Sequence, residues 1–156
     1  MATAAATTPK LTGTYGDWSA YTLGEGKARS CYIVTRPKSS TPKLDKRGEV
    51  SILVSRQQGD KTSGQINVNA GYDFKKSAKA ELVIDKTGFN LVTFDKPGYR
   101  QSAFAEEGKD AAIIAALEKG KGAVVKGTPE KGASVTDTYA LAGATAALKA
   151  IAAECK

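Results

Sequence analysis

The chain has 156 residues, of which 41% are hydrophobic, and this size and composition fit one folded domain. It contains no histidine, so the commonest general base and metal ligand is missing, and no apolar run approaches the roughly 20 residues of a membrane-spanning helix. The formal net charge of +7 comes from lysines spread along the whole chain with acids nearby, which argues against specific nucleic-acid recognition and leaves weak attraction to anionic glycans or lipid headgroups open.

The N-terminal segment is small and polar. We predict that residues 1–12 are disordered and that residues 13–156 form one β-sandwich-like domain. Met1 precedes a run of alanine and threonine without an apolar stretch, so the start of the chain resembles a mature N-terminus from which a secretory signal peptide has been removed. Under this hypothesis the protein is exported.

Alternation of apolar and polar residues predicts antiparallel strands through most of the chain. The predicted strands are residues 15–21, 30–36, 49–55, 65–70, 79–85, 89–94, 123–126 and 134–139. Polar segments rich in glycine and proline separate them, and residues 37–46, with two prolines, are predicted to form a surface loop.

Two segments have helical periodicity. Residues 106–119 place Ile113, Ile114 and Leu117 on one side, with acids early and a lysine late, the order that the helix dipole favours. Residues 140–154 repeat apolar side chains at spacings of three and four. The predicted fold class is therefore mainly β, an antiparallel β-sandwich or flattened barrel of about 7–9 strands with a short helix near 106–119 and a C-terminal helix near 140–154.

The chain has two cysteines. Cys31 lies on a predicted strand that is apolar on both faces, and Cys155 continues the apolar stripe of the C-terminal helix, so both sulfur atoms are predicted to face one core. Two buried thiols and a disulfide are the alternatives, and the shared core favours the disulfide. Such a bridge would stabilise the fold by about 4 to 5 kcal/mol in the chain-entropy model and would indicate an oxidising compartment.

No motif in the chain specifies a reaction. Metal-ligand spacing, a phosphate-binding loop and a nucleophile paired with a base are all missing, so we predict no catalytic, metal or cofactor site. The 16 acidic residues leave open a carboxylate-dependent enzyme, which would need two acids facing each other across a cleft.

Aromatic and basic residues suggest a binding surface. Trp18, Tyr21, Tyr72 and Tyr99 are candidates for a sugar-stacking platform of the kind that carbohydrate-binding modules use, with core packing as the alternative. Combined with lysines of predicted loops, the candidate binding surface consists of Trp18, Tyr21, Lys38, Lys43, Tyr72, Lys75 and Lys76.

Several short segments occur in a distinctive order. They are Gly16-Asp17-Trp18, Cys31-Tyr32 followed by Arg36-Pro37-Lys38, Gly71 to Lys75, Lys126-Gly127-Thr128, Thr136 to Gly143, and Ala146 to Ile151 with Cys155. In this order they resemble the invasion-associated locus B family of alphaproteobacteria. The resemblance implies a secretory signal, a location in the cell envelope, a part in entry into host red cells and a Cys31–Cys155 disulfide, and it supplies no catalytic residue or cofactor.

These observations lead to one functional hypothesis with two alternatives. The hypothesis is a non-enzymatic, exported protein of the periplasm or cell surface that is associated with host-cell invasion and virulence. Its expected partner is a protein or an anionic polysaccharide of the envelope or of the host surface. A carbohydrate-binding module and a carboxylate-dependent envelope enzyme are the alternatives, and the sequence does not predict an oligomeric state.

Overall fold

The computed structural model describes residues 8–156, which form eleven strands and two α-helices. The strands are β1 (Lys10–Tyr15), β2 (Trp18–Leu23), β3 (Ser30–Thr35), β4 (Ser39–Thr41), β5 (Ser51–Gln57), β6 (Gln65–Asn69), β7 (Ala80–Ile84), β8 (Thr87–Thr93), β9 (Ser102–Ala105), β10 (Gly122–Gly127) and β11 (Val135–Ala140). The helices are α1 (Asp110–Lys119) and α2 (Ala144–Glu154), and a short 3-10 turn spans Gly26–Ala28.

All eleven strands belong to one antiparallel sheet that does not close on itself. Their order is β1-β2-β3-β5-β6-β9-β8-β7-β10-β11-β4. Although β3 and β4 stand eight places apart in this order, only residues 36–38 separate them along the chain. Four peptide steps span at most about 14 Å. The sheet must therefore curl until its β4 edge approaches the end of β3.

A seam of backbone contacts joins the two ends of the curled sheet. The amide of Asp17 donates to the carbonyl of Ala142 at 2.9 Å, and the amide of Lys38 donates to the carbonyl of Thr138 at 2.7 Å. Gly143 has a φ of 93°, and a Cβ atom there would lie 1.9 Å from the carbonyl oxygen of Tyr15. Only glycine permits both the left-handed backbone and this close approach.

A large hydrophobic core fills the inside of the curled sheet, and Ala70, Tyr72 and Val135 form a second, smaller cluster. The large core combines inward-facing side chains of the strands with the apolar stripes of both helices. Helix α2 packs against β2 and β3, while α1 packs against α2 and β6. The carboxylate of Asp110 accepts a hydrogen bond from the amide of Ile66 at 2.9 Å, which fixes the start of α1 on the sheet. Neither helix in residues 8–156 has the length and apolar character to cross a bilayer.

The structure joins Cys31 and Cys155 in a disulfide, as predicted. Both residues are fully buried, and the bond connects β3 to the end of α2 across a sequence separation of 124. The side chain of Gln58 donates to the carbonyl of Lys156 at 2.6 Å beside the bond. The C-terminus is thus held against the N-terminal half of the sheet.

The predicted mainly β class, the antiparallel pairing and both helices are confirmed, with corrections in detail. There are more strands than predicted, and they form one unclosed sheet. The short strand β4 lies inside the predicted loop 37–46, because its polar backbone pairs with the edge of β11. Strand β1 pairs with β2 from Lys10 onward, so residues 10–12 are not disordered as predicted. Residues 1–7 of that prediction lie outside the described residues.

Candidate binding surface

A groove runs along the outer face of β6, β8 and β9, the face turned away from the core. Alternation along β8 buries Leu91 and turns Val92 outward. Val92 lies opposite Phe104 of β9, which in turn lies opposite Asn67 of β6. The loop 94–101 between β8 and β9 forms one wall. We call this feature the aromatic groove; its lining residues are Gln65, Val92, Phe94, Lys96, Tyr99, Phe104, Ala105 and Glu107.

Aromatic rings dominate the walls of the aromatic groove. Phe94 and Tyr99 expose 45% and 51% of their surface, and Val92 exposes 36%. Within residues 8–156, the fourth large hydrophobic side chain with such exposure is Leu11, which lies on β1. The rings of Phe94 and Phe104 pack with centroids 5.7 Å apart and planes tilted by 59°. Exposed apolar groups concentrated at one place on a surface typically mark an interaction site.

The polar side chains of the aromatic groove have no partners within the described part of the chain. Gln65, Lys96 and Glu107 line a cavity of about 560 Å³, and their side chains form no hydrogen bond or ion pair with residues 8–156. Gln65 can donate and accept, Lys96 only donates, and Glu107 as a carboxylate only accepts. All three are therefore available to a ligand.

Asp95, in the loop of the aromatic groove, forms an ion-pair network with two cations. Asp95 pairs with Lys76 at 2.9 Å and with Arg100 at 3.1 Å. The hydrogen bond from Lys76 lowers the pKa of Asp95 and Arg100 acts in the same direction, so the carboxylate stays charged at neutral pH. The network connects the loop to the segment before β7.

A second polar cluster lies inside the fold and fixes the loop between β4 and β5. Arg47 binds Asp137 with two hydrogen bonds of 2.7 Å, and its Nε donates to the carbonyl of Ala70 at 2.8 Å. Ser40 donates to the same carboxylate at 2.6 Å. The guanidinium lies 5.1 Å from the ring centre of Tyr72. Because all three guanidinium nitrogens and both carboxylate oxygens are engaged, this cluster has a structural role.

Two tyrosines beside this cluster make the free energy of unfolding depend on pH in the alkaline range. Burial raises the pKa of Tyr72 to about 12 and also raises the pKa of Tyr139. Unfolded tyrosine titrates near about 10, so the unfolded chain loses these protons first as the pH rises. The stability that the neutral phenols contribute is therefore complete below about pH 10 and is lost toward about pH 12.

We expect the Tyr72→Phe variant to lose less stability than the wild type over that alkaline range. Urea unfolding at neutral and alkaline pH measures this difference. At neutral pH the variant should be as stable as the wild type, because the Tyr72 hydroxyl has no hydrogen-bond partner within residues 8–156. Equal alkaline losses in the two proteins would contradict the assignment.

The residues of the binding surface predicted from the sequence do not lie together in the structure. Trp18 is 0% exposed on the inward side of β2, and Tyr72, between β6 and β7, is buried against Ala70 and Val135, so their prediction as surface residues is wrong. Lys38 is engaged by Asp17 at 2.6 Å. Lys43 and Lys75 are exposed on separate loops.

Of the predicted basic residues, Lys76 approaches the aromatic groove, through Asp95. The predicted aromatic platform does not form either. Tyr21 stacks on Tyr32 with centroids 5.2 Å apart and an angle of 15° between planes, so each ring covers a face of the other. Tyr99 alone of the four platform residues lines the aromatic groove.

Sequence reasoning missed the residues that make the aromatic groove. The predicted strand 89–94 contains Leu91, which is buried, and Phe94, which has the opposite parity and is exposed. An apolar pair of that parity, Val92 and Phe94, directly before the turn-forming Asp95 to Arg100 is the signal that could have revealed it. The Arg47–Asp137 pair had a similar signal, since Asp137 interrupts the inward apolar series of Val135 and Tyr139.

Three acids of the described residues line a second cavity together with basic residues. This cavity, of about 420 Å³, lies between loops 44–47, 71–73 and 129–131. Its lining includes three acids, Asp45, Asp73 and Glu130, and three basic residues, Lys46, Arg47 and Lys131. Within residues 8–156, no three acidic or cysteine side chains are grouped closely enough to hold a metal ion.

Comparisons with known proteins place this fold in a family. The family described as Invasion associated locus B (IalB) protein matches residues 18–152. The crystal structure of invasion associated protein b from Bartonella henselae has a similar fold, with a TM-score of 0.63 over 93% of this chain and 98% of that one. The two sequences are 19% identical over this alignment. No curated protein matches the chain.

Proposed function

The chain belongs to the Invasion associated locus B (IalB) family, and on this premise we propose that it is a non-enzymatic, exported envelope protein that acts in invasion by binding a partner through the aromatic groove. The partner is a protein or an anionic glycan of the envelope or the host surface. The observation that carries the proposal is the concentration of exposed Val92, Phe94 and Tyr99 around one cavity.

Two further features support this proposal. The buried Cys31–Cys155 disulfide suits an oxidising compartment such as the periplasm or the cell surface. The three acids of the cavity near Arg47 share it with three basic residues, whereas carboxylate catalysis needs two acids that face each other across the scissile bond. Binding therefore fits the described side chains better than a reaction does.

The test uses erythrocyte membranes, since the resemblance points to red cells. We expect the Phe94→Ala/Tyr99→Ala variant to bind membranes about tenfold more weakly than the wild type, because aromatic anchors carry most of the affinity of an interface. Stability should change by less than about 1 kcal/mol, since both side chains are half exposed. Sedimentation with membranes measures binding, and urea unfolding measures stability.

Leu11→Ala is the matched control. Leu11 exposes 54% of its surface on β1 and does not line the aromatic groove. This variant should bind as the wild type does. Unchanged binding by the double variant, or an equal loss in the control, would remove the aromatic groove from the proposed function.

A further inference from the structure

We propose that the aromatic groove is a site for an acidic glycan, in which a sugar ring stacks on Tyr99 and Phe94 and a carboxylate of the glycan meets Lys96. This inference rests on the proposed function and narrows its partner to one chemical class. Exposed aromatic rings, polar side chains without partners in residues 8–156 and a lysine line one cavity, and together they support the inference.

The side chains match the two kinds of surface that a sugar presents. A pyranose ring has apolar C–H faces, which pack on aromatic rings, and a rim of hydroxyl groups that both donate and accept. Tyr99 and Phe94 offer exposed rings, while Gln65 and Glu107 offer an amide and a carboxylate without partners in residues 8–156. A sugar would satisfy both sets of groups together.

The surface beside the aromatic groove is polar, which favours a glycan over an apolar protein interface. The side chain of Asn69 donates to Ser51 at 3.2 Å, and Ser102 donates to Asn69 at 3.1 Å. Next to them, the carbonyl oxygen of the Asn67 side chain is buried and has no partner in the described residues. A standard protein interface buries about 800 Å² on each partner around an apolar centre. Here the apolar centre ends at Phe104.

Lys96 is the cation that lines the aromatic groove, and it supplies the contact for an acidic ligand. The groove also holds one carboxylate, Glu107, which can accept hydrogen bonds from sugar hydroxyl groups. Lys76 and Arg100 share Asp95, whereas Lys96 has no ion-pair partner within residues 8–156. The cavity of about 560 Å³ lies in the range of small-molecule sites, about 300–1,000 Å³, which suits a short stretch of a glycan.

A matched pair of oligosaccharides tests the inference by calorimetry. A hyaluronan hexasaccharide alternates glucuronate with N-acetylglucosamine, and chitohexaose contains N-acetylglucosamine alone. We expect the wild type to bind the hyaluronan hexasaccharide more tightly than chitohexaose, and added salt to reduce that preference. Tyr99→Ala should weaken binding of the acidic oligosaccharide about tenfold, Lys96→Gln should abolish the preference, and Leu11→Ala should change neither.

Each of the following outcomes would contradict a stated part of the inference. Failure of the wild type to bind either oligosaccharide overturns the inference, and so does binding that survives Tyr99→Ala or that polyglutamate reproduces. Equal affinity for both oligosaccharides overturns the acidic specificity. If neither sugar binds while Phe94→Ala/Tyr99→Ala still weakens binding to erythrocyte membranes, the inference fails and the proposed function stands.

Discussion

Replacing Asp137 with alanine is expected to lower the free energy of unfolding by about 3–5 kcal/mol. The change removes the partner of both Arg47 hydrogen bonds and leaves a guanidinium charge in a site where its side chain is only 11% exposed. It also removes the acceptor of Ser40, which holds the edge strand β4. Urea unfolding of the oxidised protein at neutral pH measures the loss.

Two control variants separate the buried charge from the ion pair itself. Arg36→Ala breaks an exposed pair with Glu49 and should cost less than about 1 kcal/mol. Arg47→Met/Asp137→Leu removes both buried charges and should recover much of the loss seen in Asp137→Ala. A similar cost for Asp137→Ala and Arg36→Ala would show that the cluster is not the structural anchor described above.

Removing the disulfide is the second change with a large expected effect. The Cys31→Ala/Cys155→Ala variant should lose about 2–5 kcal/mol, because the bond closes a loop with a sequence separation of 124 and so restricts the unfolded chain strongly. Both sulfur atoms are also buried in the core, so alanine adds a packing defect. The urea midpoint of the variant measures this loss.

The reduced wild-type protein is the matched control for the packing defect. It retains both sulfur atoms and loses only the covalent bond, so its stability should lie between those of the oxidised protein and the double alanine variant. Two titratable thiols in protein folded in the periplasm, or equal stability of the oxidised and reduced forms, would refute the expectation.

Much of the fold could be predicted because the spacing of apolar residues along the chain indicates which face of a strand or helix each residue occupies. Ile52 and Val54 alternate with polar neighbours in β5, and Leu148 and Ile151 follow the helical spacing of α2, so local patterns identify both elements. The disulfide followed from the same reasoning, since both cysteines lie on predicted core faces. Family membership could be predicted from the order of short segments.

The binding surface could not be predicted in the same way, because exposure depends on partners distant in sequence. Trp18 and Tyr72 carry the same aromatic signal as Tyr99, and only the tertiary structure buries the first two, Trp18 in the core and Tyr72 against Ala70 and Val135. Strand β4 was missed for a related reason. Its three polar residues have no apolar pattern, and they form a strand because β11, almost a hundred residues away, offers them an edge.

Two connections between strands have different roles, one in the fold and the other in the proposed binding of a ligand. Residues 36–38 must bridge the seam, so an insertion there would change the curvature of the whole sheet. The loop 94–101 joins strands that are already neighbours, and every one of its residues is exposed. A change in the length or sequence of that loop should therefore alter the aromatic groove, where we propose that the ligand binds, without changing the strand pairing that encloses the core.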